Sequence, residues 1–317
     1  MVFIDYSKAF DTLRHQKLIE KLENTGVRGP LLQWSKNYLE NRMYMVRVGN
    51  SYSDRIQVNE ATAQGSVLGP LHYLAYVNDL NNLIKKCSIY QFADDTCLIA
   101  ADRDINVAQS MLQNDLTLLN KWSHDVGLVL NAQKTKMMHV HSSHNVSTQT
   151  AIVVAHGHSC MHDNFINCKC EPVEQVRKHT YLGLVIDDRF NWGPHVDIVC
   201  DRLRAVLAKF YLTRYKIPYS IMLSMYHALA ESIVSYGLTS YGRTYKSYLA
   251  KINNLQTRLL KIIVPKNIKD MYHENYAQLY KYCKVIPIQE KIKYALIIER
   301  YKESLSMPYV THNILTR

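Results

Sequence analysis

Several features common in secreted and membrane proteins are missing from this sequence. No run approaches the ~18 consecutive apolar residues that a membrane span needs, and the opening MVFIDYSKAF lacks the basic-then-apolar pattern of a secretory signal. Internal repeats and low-complexity tracts are also missing. The seven cysteines are an odd number, which favours thiols or metal ligands over a disulfide framework. We therefore expect an intracellular protein, in the nucleus or the cytoplasm, without a membrane partner.

The composition is that of a folded, basic protein. Its 317 residues are 47% hydrophobic, enough for one large domain or two smaller domains with hydrophobic cores. Lysine and arginine number 38 against 27 aspartates and glutamates, a formal charge of +11. Such an excess favours an anionic partner, of which nucleic acid is the first candidate. The alternative is a solvated basic surface without any such partner.

The first part of the chain predicts a mixture of strands and helices. MVFID predicts a strand, and residues 7–26 predict a helix that Ser7 caps. A second helix is predicted to begin at Pro30, followed by a hairpin that turns near Gly49. SIYQFADDTCLIAA predicts two short strands with two aspartates at the bend between them.

The second part of the chain is helical and basic. From His195 onward, helical periodicity predicts four helices, near 197–216, 219–236, 246–264 and 287–305. The change in composition near residue 190 predicts a boundary between a mixed α+β part and an all-α part.

Two adjacent aspartates stand in the middle of the apolar run QFADDTCLIA. Like charges repel, and ionised carboxylates avoid apolar surroundings unless something compensates them. Two divalent metal ions about 3.5–4 Å apart, as in sites for phosphoryl displacement, would compensate the charge of the aspartates. Mg²⁺ suits such a site because it prefers oxygen ligands. Asp5, which follows the apolar residues MVFI, is the candidate third carboxylate. Alternatively, Asp5 caps a helix, and Asp94 and Asp95 belong to an exposed turn.

Five motifs follow one another along the chain: FIDYSKAFD, AQGSVLGPLHYLAYVNDL, QFADDTCLIA, LNAQKTKMM and YLGLVIDD. Together they resemble the reverse transcriptases of non-LTR (LINE-like) retrotransposons, especially the insect jockey-like group. The resemblance implies an α+β fold in which residues 1–192 form a polymerase palm, an antiparallel sheet packed on helices. Residues 193–317 would form an all-α thumb-like and C-terminal region. The implied function is RNA-directed DNA polymerase, which uses an RNA template, a DNA primer and deoxynucleoside triphosphates.

The resemblance also implies residue roles at the site of nucleotidyl transfer. Asp5, Asp94 and Asp95 fall on the family's metal-binding aspartates and would ligate two Mg²⁺ ions, or Mn²⁺ in their place. Tyr6 would add its backbone carbonyl as a further ligand. Phe10 falls where the family places an aromatic ring that clashes with a 2′-hydroxyl and so selects deoxynucleotides. Alternatively, Phe10 is an ordinary core residue.

Further matches concern the nucleotide, the leaving group and the primer. Gln64 and Gly65 fall in a loop that supports the nucleotide, where Gly65 would allow close backbone approach. Lys134 falls on the family's proposed general acid for the leaving pyrophosphate; its alternative is a solvated surface lysine. Leu182 and Gly183 fall on the hairpin that grips the primer, or form an ordinary strand turn.

The sequence departs from the family at its start. In relatives a long fingers region precedes the first catalytic strand, whereas here four residues precede Asp5. We therefore expect a chain without fingers, either a fragment of a larger polyprotein or a decayed copy. A catalytically inactive nucleic-acid-binding remnant is the alternative function. A smaller departure is Ala63, where relatives usually carry proline.

A His/Cys-rich insertion occupies residues 139–170. Nitrogen and sulfur ligands suit Zn²⁺, and the candidate ligands are His156, His158, Cys160, His162, Cys168 and Cys170. The stretch lacks the Cys-x₂-Cys pairs typical of zinc modules. A variable hairpin between motifs is therefore favoured over a zinc-dependent interaction module.

The helix predicted near 197–216 carries four candidate nucleic-acid-binding residues: Arg202, Arg204, Lys209 and Arg214. Tyr211 and Tyr215 lie among them, and Arg258 and Lys261 follow later. In a thumb, such cations would contact duplex phosphates without reading sequence, and tyrosines would stack on bases or sugars. The alternative is the solvated face of an amphipathic helical bundle.

Overall fold

The computed structural model describes residues 1–63, 65–141, 153–155, 170, 172–266, 268 and 276–306. The chain divides into two compact units, Met1–Leu182 and Gly183–Arg317. The sequence placed the boundary at 192, whereas the units divide at the turn between Leu182 and Gly183. Within the described ranges, no helix has both the length and the apolarity to cross a membrane.

The strands of the first unit are short, and the second unit begins with one more strand, β13. Their bounds are β1 Val2–Ile4, β2 Tyr6–Ser7, β3 Met43–Tyr44, β4 Arg47–Val48, β5 Ser51–Tyr52, β6 Ile56–Gln57, β7 Ser88–Phe92, β8 Asp95–Ile99, β9 Val129–Leu130, β10 Lys136–Met137, β11 Glu174–Gln175, β12 Lys178–Tyr181 and β13 Leu184–Asp187.

A five-stranded sheet in the order β11-β10-β1-β8-β7 is the centre of the first unit. All neighbouring pairs are antiparallel except β10 and β11. The apolar run at the start of β1 is explained by burial on both faces. Val2 and Ile4 belong to the hydrophobic core, while the ring of Phe3 stacks on His179 at 4.3 Å between centroids. The predicted mixture of helices and strands in this part of the chain is confirmed, and the sheet is predominantly antiparallel.

The helices of the first unit pack against this sheet and form the core with it. Their bounds are α1 His15–Asn24, α2 Gly29–Leu39, α3 Leu68–Val77, a 3₁₀ turn at Leu80–Asn82, and α4 Ile105–Val126. Pro30 lies in the first turn of α2, as predicted. The 22-residue α4 is the longest of them and ends at Gly127, whose φ of +84° is the left-handed conformation that glycine adopts readily.

The prediction of one helix over residues 7–26 was wrong at its start. Tyr6 and Ser7 form β2, which pairs with β9, and Lys8 has a φ of +50° that no helix accommodates. Helix α1 begins only after Arg14, so Ser7 is not its N-cap. Pairing with a strand more than a hundred residues away overrode the local helical pattern, a tertiary effect that periodicity does not show.

Residues 43–57 form a two-stranded arm, as predicted for the hairpin near Gly49. Strand β3 pairs with β6 and β4 with β5, in registers that place Val48 opposite Ser51 across the turn. Gly49 has a φ of +62°, which suits the tight two-residue turn of a hairpin.

The second unit is built mainly of helices. Their bounds are α5 Gly193–Thr213, α6 Tyr219–Met225, a π-helical turn at Tyr226–Glu231, α7 Ser232–Ser235, α8 Leu238–Tyr241, α9 Lys246–Ile263, α10 Tyr276–Tyr282 and α11 Ile288–Ser306. The four helices predicted from periodicity are confirmed by α5, the helical stretch from α6 to α7, α9 and α11.

The start of α5 is fixed by Asp187, which is buried. Its carboxylate accepts hydrogen bonds from the backbone N–H groups of Arg189, Asn191 and Trp192, at 3.1, 3.1 and 2.7 Å. These charge-assisted hydrogen bonds satisfy backbone donors that would otherwise be buried without an acceptor. Helix α5 then packs along α9 through apolar faces of both helices.

Candidate active site

The aspartate pair lies at one end of the central sheet. Strands β7 and β8 form a hairpin in which Phe92 pairs with Asp95, so Asp94 lies in the turn and Asp95 opens β8. Both side chains are exposed. Ala93, just before the pair, has a φ of +54°, a left-handed conformation unusual for a residue with a side chain. The predicted placement of the aspartates at the bend is confirmed.

Asp5 lies at the same end of the sheet as this pair. Strands β1 and β8 are antiparallel, with Ile4 opposite Thr96. Asp5 follows Ile4 and Asp95 precedes Thr96, so both aspartates come next at the same end of the two strands. Buried residues on both strands hold this register, because a slip of one residue would turn the core face outward. Asp5 is half-buried and does not cap α1, which begins at His15. That alternative for Asp5 is therefore wrong.

The electrostatics show that the three carboxylates share one region. The pKa of Asp95 is raised by partial burial, and then by the negative charges of Asp94 and Asp5. Like charges this close disfavour joint ionisation. A cation bound between them would reverse that effect, and carboxylate oxygens are the ligands that Mg²⁺ prefers.

The described residues nevertheless contain no group of three or more His, Cys, Asp and Glu side chains arranged to hold a metal ion. The aspartates are thus close enough for charge coupling but are not drawn together around one point. Of the zinc candidates, His156, His158, Cys160, His162 and Cys168 lie outside the described residues. Cys170 is half-buried, and the part of the chain that the structure describes gives no support to a zinc site.

A loop carrying Lys134 is fastened to the backbone of Asp5. The N–H of Asn131 donates to the Asp5 carbonyl at 2.8 Å, and the Asp5 N–H donates to Thr135 Oγ1 at 3.4 Å. The Asn131 side chain accepts from the Lys134 N–H at 3.1 Å. Lys134 is exposed, and these bonds bring its loop to the carboxylate end of the sheet.

Tyr6 and Phe10 differ in how far they reach the surface. The Tyr6 side chain is buried, and burial raises the pKa of its hydroxyl. Phe10 is half-buried, with its ring centroid 4.5 Å from that of Tyr73 on α3. The pKa of Tyr73 is itself raised, first by burial, then by Tyr6 and Asp94. Phe10 therefore packs on a residue of α3 that lies within electrostatic range of Asp94.

The glycine loop before α3 has the open backbone that was expected. Gly65 has a φ of +79°, and an added Cβ would meet no atom within 4 Å, so a ligand has room to approach the main chain. Ser66 Oγ accepts from the Gly69 N–H at 3.0 Å in the first turn of α3. Gln64 lies outside the described residues.

Leu182 and Gly183 form the turn between β12 and β13. Both have positive φ, +49° and +74°, which is typical of the tight turn in a two-residue hairpin. The ordinary-turn alternative describes this geometry, and a role in gripping the primer stays a prediction.

The four basic residues predicted to bind nucleic acid lie on or next to α5 but do not share one face. Arg202 and Lys209 are seven residues apart and exposed, so they project from the same side of the helix. Arg204 pairs with Asp201 and lines a groove beside α9. Arg214 lies 3.6 Å above the ring of Tyr211 and 4.5 Å above that of Tyr215, a stacked cation–π arrangement.

Sequence reasoning missed Tyr73 and Asn131. Tyr73 lies in a mostly apolar helix, where nothing distinguishes a site-facing aromatic from a core one. Asn131 had a weak signal, since the polar turn NAQKT between two short strands is typical of a side-chain-capped loop.

Comparison with known proteins identifies the family. Residues 1–186 match the family described as reverse transcriptase (RNA-dependent DNA polymerase). The chain belongs to this family. Similar curated proteins of Drosophila melanogaster include the probable RNA-directed DNA polymerases from transposon X-element, 28% identical over 269 residues, and from transposon BS, 30% identical over 272 residues. The polymerase from the mobile element jockey of the same species is 25% identical over 271 residues.

These matches confirm the predicted membership among LINE-like, jockey-like reverse transcriptases. They cover 82–83% of this chain, and the chain spans 28% of the length of each relative. The family in general uses divalent metal ions, in agreement with the oxygen donors at the end of the sheet. The palm and thumb assignment and the expected lack of fingers stay predictions.

Proposed function

We propose that this chain acts as an RNA-directed DNA polymerase, with the first unit as its palm and the helical second unit as its thumb. The observation that carries the proposal is the placement of three carboxylates at one end of the central sheet, where partial burial and then the charges of Asp94 and Asp5 raise the pKa of Asp95. A hairpin turn alone would not need a third carboxylate on the neighbouring strand. The family membership supplies the reaction class.

In this proposal Asp5, Asp94 and Asp95 would hold two Mg²⁺ ions, or Mn²⁺, with the Tyr6 carbonyl as a further ligand. When bound, the ions would activate the primer 3′-hydroxyl and stabilise charge on the pyrophosphate. Because Asp5 follows β1 and Asp95 opens the paired strand β8 directly after Asp94, the buried register of the two strands would position the carboxylates before any substrate binds.

The neighbouring residues would orient the deoxynucleotide. Gly65 would leave the main chain open to the nucleotide, and Gln64 would hydrogen-bond near it. The Phe10 ring, packed on Tyr73, would exclude a 2′-hydroxyl. Lys134 would donate a proton to the leaving pyrophosphate, because its loop is fastened to the Asp5 backbone.

The second unit and the turn before it would hold the template–primer duplex. Leu182 and Gly183 would contact the primer end. Arg202 and Lys209, on one face of α5, would contact phosphates without reading sequence, and Arg204 and Arg214 would add positive charge nearby.

Primer extension tests the proposal directly. The full chain is incubated with poly(rA)/oligo(dT), dTTP and either Mg²⁺ or Mn²⁺, beside a variant carrying Asp94→Asn and Asp95→Asn. Asp54→Asn, an exposed aspartate next to β6, is the matched control. We expect synthesis by the wild type and the control but not by the double variant. Synthesis no greater than that of the double variant would refute the proposal, and duplex binding retained by all three proteins would then indicate the inactive remnant.

A further inference from the structure

A groove runs between α5 and α9 in the second unit, at some distance along the chain from every residue assigned to catalysis. Its volume is about 540 Å³. The apolar lining consists of Leu207, Ala208, Leu212 and Ile262, with Tyr211 beside them. On α5 these residues recur at the three- and four-residue spacing of one helix face. Leu212 is 76% exposed and Tyr211 is 58% exposed, so this face presents apolar surface to water.

Three cations also line the groove in the part of the chain that the structure describes. Arg204 comes from α5, while Arg258 and Lys261 come from α9. Lys261 is held in place, because its Nζ lies 4.3 Å above the ring of Tyr276 and donates to the hydroxyl of that tyrosine at 3.2 Å. Among the described residues, none that lines the groove is a carboxylate, and Asp201, the partner of Arg204, is not one of the lining residues.

This combination distinguishes the groove from the nucleic-acid face proposed for α5. Arg202 and Lys209 do not line the groove, and their seven-residue spacing places them on another side of the helix. Phosphates need cations and hydrogen-bond donors, but they gain nothing from a trough of leucine and isoleucine side chains. An amphipathic helix, in contrast, lays apolar side chains into such a trough at positions i, i+3, i+4 and i+7.

We propose that the groove between α5 and α9 docks an acidic amphipathic peptide segment of a partner protein. The apolar side chains of that segment would enter between Leu207 and Ile262, and its carboxylates would pair with Arg204, Arg258 and Lys261. Opposite charges on the two surfaces speed encounter and set orientation, while the apolar contacts hold the segment. The proposal does not depend on polymerase activity.

The test measures binding of a defined probe to the full chain. The probe is a fluorescein-labelled helical peptide with leucine at i, i+3, i+4 and i+7 and glutamate at its exposed positions. A second peptide has the same composition, with its leucines spread around the helix. Fluorescence anisotropy at physiological salt gives both affinities, and an RNA–DNA duplex is titrated in parallel.

Two variants alter the groove, and a third alters another face of α5. Ala208→Phe fills the trough, and Arg258→Glu reverses one cation of its rim. Both residues are exposed, so both variants are expected to keep the wild-type circular dichroism spectrum and melting midpoint. Arg202→Glu is the matched charge reversal outside the groove. We expect each groove variant to weaken the patterned peptide at least about tenfold, while Arg202→Glu weakens the duplex and leaves the peptide within about twofold.

Two results would overturn the proposal. Equal affinity for the patterned and the spread peptide would show non-specific charge attraction and no docking in the trough. Loss of duplex binding, but not of peptide binding, in the groove variants would assign the groove to nucleic acid. If Ala208→Phe does not fold, Arg258→Glu and Lys261→Glu decide the question by the same criteria.

Discussion

Replacing Asp95 by asparagine is expected to act in opposite directions on stability and on function. Asp95 follows Asp94 in sequence, and Asp5 lies just past the last paired residue of the β1–β8 ladder. Partial burial and then the charges of Asp94 and Asp5 raise the pKa of Asp95. Without a metal ion, the neutral Asp95→Asn side chain removes this repulsion and part of the cost of burying a charge. With Mg²⁺ present, the same variant lacks a ligand. We therefore expect a more stable metal-free protein that loses primer extension at least about a hundredfold.

The size of the stabilisation follows from the position of the charges. The Cβ atoms of cross-strand neighbours lie about 5 Å apart, and two unit charges at that separation in water would repel by about 0.8 kcal/mol. Salt reduces this by about half at physiological ionic strength, while partial burial of Asp95 increases it. The repulsion from Asp94 largely persists in the unfolded chain, because the two residues are adjacent in sequence. The contact with Asp5 exists only in the folded state, so the expected gain is about 0.5–1 kcal/mol.

Urea unfolding with EDTA measures this gain, with Asp54→Asn as the control. A raised carboxyl pKa means that the folded state binds more protons, so wild-type stability falls as pH rises from the ordinary aspartate value through the higher folded one. The advantage of Asp95→Asn should thus be present at neutral pH and vanish below about pH 4. Adding Mg²⁺ should stabilise the wild type more than the variant. A destabilised variant in EDTA at neutral pH, or equal stabilisation of both proteins by Mg²⁺, would show that the three carboxylates do not share a metal site.

Three further predictions concern the neighbouring residues. Asn131→Ala removes the 3.1 Å hydrogen bond from the Lys134 N–H, so the free energy of unfolding measured in urea should fall by about 0.5–1.5 kcal/mol. The same variant should slow single-turnover nucleotide addition. An unchanged rate would show that Lys134 has no part in catalysis. Phe10→Ala leaves Tyr73 without its ring partner and should lower the free energy of unfolding by about 1–2 kcal/mol. It should also raise ribonucleotide incorporation relative to Phe10→Tyr. Unchanged sugar selection would mean that Phe10 is an ordinary core residue. Arg202→Ala with Lys209→Ala should lower the slope of log affinity against log salt for an RNA–DNA duplex by about one per lost phosphate contact, whereas an unchanged slope would mean a solvated basic face.

The elements that could be predicted from the sequence are those whose pattern is local. Strands β7 and β8 were predicted because two short apolar runs flank a polar bend, and α5, α9 and α11 because their apolar residues recur at helical spacing. The prediction of a helix over residues 7–14 was wrong because their structure is set by a distant partner. Their pattern continues the helical period of α1, but Tyr6 and Ser7 pair with β9, and Lys8 turns the chain with a φ of +50°. Only the distant partner strand decides that segment.

The candidate site shows the same division. The aspartates were found from ordered motifs, and the strand register then placed Asp5 beside Asp95. The brace of Phe10 on Tyr73 and the fastening of the Lys134 loop to Asp5 required the fold, because each joins residues that are far apart along the chain. The groove between α5 and α9 was also not predictable. Periodicity assigned Arg204 and Arg202 to one basic helix, whereas packing against α9 separates their environments.

Two unfavourable features coincide at the turn between β7 and β8. Ala93 adopts a left-handed backbone at a cost of about 1–2 kcal/mol, and Asp95 lies in the field of two other carboxylates. A turn selected for stability alone would carry glycine or asparagine in place of Ala93 and a neutral residue in place of Asp95. The ladder from Phe92–Asp95 to Ser88–Ile99 and the buried side chains of β8 hold the turn in place despite both costs. Strain and like-charge repulsion that the surrounding sheet holds in place are typical of functional sites, so these two costs support the proposal that this end of the sheet is selected for function and not for stability.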